Sequence, residues 1–242
     1  MKEVSLNEVI KVIHGRVLSG QLSPVDLIKG VSLDSRQVKT GELFFALPGE
    51  RVDGHDFVDQ ALAAGAIGAV VKRWPGEGPG PSTKEPTAPL IQVDDVLKAL
   101  QDLAAWSRRQ FSLPVIGVTG STGKTSTKDL IAAVLSKRFC TLKTAGNYNN
   151  EIGVPLTLLQ LTERHQAAVV EMAMRARGEI AALCSLVRPT GGVITNIGHT
   201  HQELLGSQEN IARAKGELLA DLSESGWAVL NADDPWQLLL AS

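Results

Sequence analysis

Val115-Ile-Gly-Val-Thr-Gly-Ser-Thr-Gly-Lys-Thr-Ser126 is the stretch on which the fold turns. Its first five residues read as an apolar strand, Gly120-Ser-Thr-Gly123 as a turn, and Lys124 as the start of a helix. Glycines let backbone amides curl around phosphate oxygens, and a helix N-terminus adds a favourable dipole. Lys124 is then placed to reach β- and γ-phosphates, and the Thr125 hydroxyl to ligate Mg²⁺. The spacing departs from the usual phosphate loop, because Val118 stands where the first glycine belongs. A glycine-rich turn beside a surface lysine is the bland alternative. Strand, turn and helix in register favour a nucleotide site made of Gly120, Ser121, Thr122, Gly123, Lys124, Thr125 and Ser126.

Downstream, strands are expected at 115–119, 141–145, 167–172, 191–197 and 227–231. Helices are expected near 124–137, 155–161, 178–187, 207–222 and 234–241. Several strands are apolar on both faces, as Val169-Val170 and Val193-Ile194 show, which predicts a mainly parallel sheet covered by helices. Ligands in such sheets gather at the carboxyl ends of the strands.

Upstream, residues 1–95 read as a small α/β unit. Ser5 and Glu8 have capping-box spacing ahead of Val9, Ile10, Val12 and Ile13, so a short helix ending at Gly15 is expected. Leu43–Leu47 and Ala66–Val71 read as strands, with a helix over 56–64 between them that stops at Gly65. Residues 74–89 hold five prolines and three glycines, which predicts an exposed loop. Leu90–Val93 follows as a strand, and a connecting helix is expected over 96–112. The α/β fold class is thus a small N-terminal domain followed by a phosphate-loop domain over 113–242.

The chain has 242 residues, 24 Lys+Arg, 26 Asp+Glu and a formal net charge of -2. That balance excludes a generally basic nucleic-acid or membrane-surface binder, although not a local basic patch. Two cysteines, Cys140 and Cys184, are too few for a disulfide framework. The start of the chain lacks the apolar core of a signal peptide, and no apolar run reaches the ~18 residues of a membrane span. A cytoplasmic protein with no membrane span and no nucleic-acid partner is the expectation.

Three further positions fall on the same sheet edge. Glu171 closes the apolar strand Ala167–Met172; such a carboxylate either begins a loop or meets a cation. His199 and His201 follow the strand at 191–197 and suit a polar loop, acid–base chemistry or a metal. Lys215 lies in the apolar stripe of Ile211, Ala214, Leu218 and Leu222. It either snorkels to solvent or is desolvated, and a desolvated amine is free to add CO₂ and become an anionic carbamate ligand.

Together these residues resemble the Mur ligase family. The matching segments in the first domain are Asp34-Ser-Arg36, Gly41–Leu47 and Asp53-Gly-His-Asp-Phe57. In the second they are Thr119–Ser126, Gly146–Pro155, Val170-Glu-Met172, Ile194–Gly198 and Ala214-Lys-Gly-Glu217. The resemblance covers nearly the whole chain and accounts for Val118. The Asn-Asn-Glu-Ile-Gly-Val-Pro segment points to the members that join D-Ala-D-Ala to a UDP-N-acetylmuramoyl-tripeptide rather than to their amino-acid-adding relatives one step earlier.

That resemblance implies an ATP-dependent ligase of peptidoglycan precursor synthesis working through an acyl phosphate. It implies that Ser35 and Arg36 meet the UDP end of the substrate, although Arg36 equally suits a local carboxylate. Asn147, Asn149 and Asn150 would line the substrate cleft or simply form turns. Thr125 and Glu171 would hold one Mg²⁺, and His201 with carbamylated Lys215 a second. Lys124, His201 and Lys215 are the catalytic candidates, with ATP and Mg²⁺ as cofactors. Arg175 and Arg177 stand where many relatives carry small residues and a histidine, and either touch substrate or are solvated loop charges, the second reading being slightly favoured. Family members continue past this length, so the chain reads as the front portion of a ligase whose C-terminal domain is needed to complete the site. A non-catalytic nucleotide- or UDP-sugar-binding module is the alternative.

Overall fold

The computed structural model describes residues 1–22, 27–49, 52–73, 88–200 and 202–241. The chain divides into two compact units, Met1–Ser107 and Arg108–Ser242.

The first unit opens with β1 (Val4–Ser5) and α1 (Leu6–Val12), followed by β2 (Arg16–Ser19), β3 (Leu27–Ile28) and β4 (Gly30–Ser32). The expected cap is present: Ser5 Oγ accepts from the Glu8 amide at 3.2 Å and satisfies one of the helix's orphan donors. Then come β5 (Glu42–Phe45), a 3₁₀ turn at Gly54–Phe57, α2 (Val58–Ala63), β6 (Gly68–Val71), β7 (Leu90–Gln92) and α3 (Val96–Arg109). Among the described residues a five-stranded sheet runs β2-β7-β6-β5-β4. All neighbours pair parallel except β2, which is antiparallel to β7. Phe44, Ala46, Val58, Ala61, Ala69, Val71 and Leu90 form one buried cluster on this sheet.

The expected strand at 43–47 stops at Phe45, and the helix expected over 56–64 opens as a 3₁₀ turn capped by Asp53. β2, β3 and β4 carry no pattern long enough to be read from sequence; their partners, not their own residues, hold them extended. Of the proline-rich segment, residues 74–87 lie outside the described residues.

The second unit contains β8 (Val115–Thr119), α4 (Lys124–Leu135), β9 (Thr141–Lys143), α5 (Gly153–Leu158), β10 (Ala167–Glu171) and α6 (Glu179–Val187). It ends with β11 (Gly191–Ile194), α7 (Gln202–Leu205), α8 (Gln208–Ala220), β12 (Trp227–Val229) and α9 (Pro235–Ala241). All strand pairs are parallel, in the order β12-β11-β8-β10-β9. The mainly parallel sheet read from the apolar runs is therefore present, and β8, β10 and β11 are buried along their whole length. Each fully buried valine or isoleucine contributes roughly 1.5–3 kcal/mol relative to exposure.

Several elements are shorter than expected. The strand at 141–145 ends at Lys143 and the one at 191–197 at Ile194, because the residues beyond turn away to build loops. The helix expected from 155 begins at Gly153. Asn150 Oδ1 accepts from the Ile152 and Gly153 amides at 3.3 and 2.9 Å, and Pro155 sits in the first turn, where no amide is needed. The chain leaves β8 for β9 and β10 on one side, then crosses to β11 and β12 on the other. β8 therefore lies at a topological switch point, and open parallel sheets bind ligands outside the carboxyl ends of the strands at such a point.

Candidate active site

Strand register brings the candidates together. Glu171 pairs with Val118, Val193 with Val118, and Ile194 with Thr119, so β8, β10 and β11 end side by side. Val118 explains its own departure from the usual spacing. It is a fully buried strand residue packed with Ile116, Ala132, Val169 and Val193, and the glycine turn begins only at Gly120.

That turn is clamped from β11. The Ser121 amide donates to the Asn196 carbonyl at 3.0 Å and the Thr122 amide to Asn196 Oδ1 at 2.9 Å. Asn196 Nδ2 donates to Thr122 Oγ1 at 2.9 Å, and the Gly198 amide to Ser121 Oγ at 2.8 Å. Gly120 (φ 145°) runs so close to Thr195 that an added Cβ would lie 1.9 Å from Oγ1. Gly123 adopts φ 79° at the start of α4, which disfavours any other residue. No side chain caps α4, so its first amides are open to an anion, while those of Ser121 and Thr122 are already spent. Asn196 was not singled out in the sequence; its place after a strand facing the glycine turn was the available signal.

Lys124 Nζ donates to the Gly120 carbonyl at 2.8 Å and the Ser121 carbonyl at 3.3 Å. Burial lowers its pKa, opposed by the charge of Glu171, which shows that ammonium and carboxylate share one field. Glu171 is 1% exposed. Its Oε1 accepts from Asn149 Nδ2 at 2.8 Å, and its amide donates to Thr144 Oγ1 at 3.0 Å. Its Oε2 is buried without a hydrogen-bond partner among the described residues, as is Thr119 Oγ1. Leaving a charged oxygen unmatched costs several kcal/mol, and a hard cation is the natural complement. The residues present thus fit Mg²⁺. Among the described residues no three His, Cys, Asp or Glu side chains cluster, so the rest of a cation's shell would come from hydroxyl, phosphate and water oxygens.

Lys215 does not snorkel. It is 2% exposed on α8 among Ile211, Ala212, Ala214 and Leu218. Burial, followed by the nearby charge of Lys124, lowers its pKa to about 8. The next turn of α8 is anchored by Glu217, whose carboxylate accepts from the Gly178 and Ala181 amides at 2.7 and 3.1 Å, capping α6. Lys124, Glu171 and Lys215 thus belong to one electrostatic neighbourhood. His201 lies outside the described residues, and His199 is exposed in the adjoining loop.

Of the asparagines, Asn149 spends its amide on Glu171, Asn150 caps the start of α5, and Asn147 is exposed. Arg175 and Arg177 are exposed as expected. In the first unit, Ser35 and Arg36 line a cavity of about 460 Å³ with Asp34, Phe44 and Phe57. Arg36 is paired locally: Nε and Nη2 donate to Asp34 Oδ1 and Oδ2 at 2.9 and 2.8 Å. Ser35 Oγ donates to Gln60 Oε1 at 2.9 Å.

Comparison with known proteins agrees with this layout. Residues 118–242 match the Mur ligase middle domain, and residues 27–108 match the Mur ligase family catalytic domain. The UDP-N-acetylmuramoyl-tripeptide–D-alanyl-D-alanine ligase of Synechocystis is 52% identical over 207 residues, covering 86% of this chain and 44% of that protein. The Bacillus subtilis ligase of the same name is 43% identical over 231 residues, covering 96% of this chain and 49% of that protein. A crystal structure of MurF from Acinetobacter baumannii superposes with TM-score 0.88 at 34% identity, covering 99% of this chain and 51% of that one. MurF from Thermotoga maritima, crystallised in complex with ADP, superposes with TM-score 0.75 at 34% identity over 88% of this chain and 48% of that one. The chain spans about half the length of the curated relatives it matches. With the middle-domain match alone covering more than half of its residues, the chain belongs to the Mur ligase family.

Proposed function

We propose that this chain supplies the nucleotide- and UDP-substrate-binding portion of an ATP-dependent ligase that adds D-Ala-D-Ala to UDP-N-acetylmuramoyl-tripeptide. The observation that carries the reading is Glu171: a buried carboxylate with one oxygen bonded to Asn149 and the other unmatched, at the strand edge beside the phosphate loop. The names of the relatives supply the substrates.

In the reaction, the terminal carboxylate of the tripeptide attacks the γ-phosphorus of ATP, forming an acyl phosphate and releasing ADP. The D-Ala-D-Ala amine then attacks the acyl carbon, and phosphate leaves as the amide forms. Lys124 would leave the Gly120 and Ser121 carbonyls to meet β- and γ-oxygens, while the open amides of α4 hold the anion. Thr125 and Glu171 would hold Mg²⁺, with His201 and carbamylated Lys215 at a second ion. Bound Mg²⁺ neutralises charge developing on the phosphate oxygens. The lowered pKa of Lys215 favours the neutral amine that adds CO₂. The pocket containing Ser35 and Arg36 would take the UDP end, with Asn147 beside the peptide; Asn149 acts through Glu171, and Asn150 through the loop it caps. A cytoplasmic location suits these substrates, and among the described residues no helix is long and apolar enough to cross a membrane.

The ligase reading is tested by ADP release from the complete enzyme, which should require both the UDP-tripeptide and D-Ala-D-Ala; equal turnover with either omitted refutes it. The half-length match to the relatives favours a second reading for the chain alone, a nucleotide- and UDP-sugar-binding module without turnover. Calorimetry that detects UDP-substrate binding while no amide forms distinguishes that module from a ligase.

A further inference from the structure

The parallel sheet of the second unit has two ends, and the proposed chemistry uses only one. At the amino-terminal end, before β8, β11 and β12, lies an open cavity of about 850 Å³ lined by Arg108, Arg109, Cys184, Arg188, Thr190 and Asp221 among others. We propose that this cavity is an anion site for a small phosphate-bearing ligand, gripped by Arg109 and Arg188 around the buried Arg108.

The three guanidinium groups have different duties. Arg108 is 6% exposed and is consumed by the fold. Its Nε donates to the Val187 carbonyl at 2.8 Å, Nη1 to the Phe111 carbonyl at 2.7 Å and Nη2 to the Arg188 carbonyl at 3.2 Å. These neutral acceptors hold its geometry without cancelling its charge. Arg109 and Arg188 line the same cavity, and neither forms an ion pair among the described residues.

Counting charge decides the sign of the site. Three cations face one carboxylate, Asp221. Helices α3, α6 and α8 also end here, each contributing roughly half a negative charge. The balance remains positive by about half a charge. Burial and then the charge of Arg188 lower the pKa of Arg108, and burial raises that of Asp221. Burial likewise pushes the Cys184 thiol up to about 12, leaving it an unreactive wall.

Backbone strain marks the same spot. Arg188 has φ 49° and ψ 66° at the end of α6, a left-handed cap that glycine usually fills. Among the described residues only His14 is another non-glycine with positive φ. A β-carbon in this region crowds the following carbonyl oxygen and carries a steric cost. Glycine would relieve that cost but remove the guanidinium. Planar, forked donors suit phosphate oxygens better than any other side chain.

Inorganic pyrophosphate is the probe, titrated into the 242-residue chain carrying Lys124→Ala, with magnesium chelated so that the phosphate loop keeps only its backbone amides as donors. Calorimetry should still detect binding, with amide shifts at Thr190 and Cys184 rather than at Gly120–Thr125. Adding Arg109→Gln and Arg188→Gln should weaken it about tenfold or more. Asp221→Asn should tighten it several-fold, a gain that a misfolded variant would not produce. Absence of binding in the Lys124→Ala chain, or affinity indifferent to the arginine and Asp221 substitutions, overturns the proposal.

Discussion

The pocket of the first unit and the strand edge of the second hold similar side chains in opposite condition. In the first, Arg36 and Asp34 satisfy one another with two short bonds, and Ser35 is bonded to Gln60. Arg36's hydrogen bonds hold the Asp34 carboxyl well below the usual carboxylate range, so the pair stays ionised and content in solvent. In the second, Glu171 keeps an unmatched oxygen, Lys124 leans on its own loop's carbonyls, and Lys215 is buried in an apolar stripe. A satisfied, exposed pair stores nothing that a ligand can release. Buried groups left partly unsatisfied are stabilised by whatever completes them.

Lys124→Ala is the sharpest way to break that contrast. It should lower ATP-dependent turnover of the complete ligase by about 10³-fold or more, while UDP-substrate binding measured by calorimetry stays nearly unchanged. Loss of both together would mean that the two sites are not separate in the way described.

Lys215→Met tests the cost of the buried amine. A lysine whose pKa falls to about 8 on folding binds fewer protons folded than unfolded between pH 8 and roughly 10.4, so wild-type stability rises with pH across that window. Below pH 8 the methionine variant should be more stable by on the order of 3 kcal/mol, with the gap closing above it. Parallel denaturant curves at pH 7 and pH 10 read this directly. A bicarbonate-dependent gain in intact mass, absent in the methionine variant, tests the carbamate.

Asn149→Ala should weaken Mg²⁺ affinity about 10–100-fold, as expected of a group that orients a metal ligand. A magnesium titration followed by nucleotide-dependent fluorescence measures it. If Asn149 touched peptide instead, the KM for UDP-tripeptide would move and magnesium affinity would not. The smallest effect is expected at Arg36→Ala. Thermal stability should hardly change, because exposed ion pairs contribute little, while UDP-substrate affinity falls; an unaltered affinity would remove Arg36 from the substrate site.

Much was legible from the chain alone. Two-sided apolar runs imply the parallel sheet, and the Gly120–Thr125 turn the strand-turn-helix at its carboxyl edge, because periodicity and glycine content act locally. Glu171 and Lys215 stood out as charged residues in apolar surroundings. The short strands of the first unit did not, since two- to four-residue segments carry no period and are held by neighbours far along the chain. The Asn196 clamp, the Asn149–Glu171 bond and the Arg108 staple each join residues more than twenty positions apart or lie across a loop. Sequence spacing determined which of the longer segments become strands and helices. Only the packed sheet decided which polar groups meet, which stay unmatched, and therefore where a ligand lowers the free energy most.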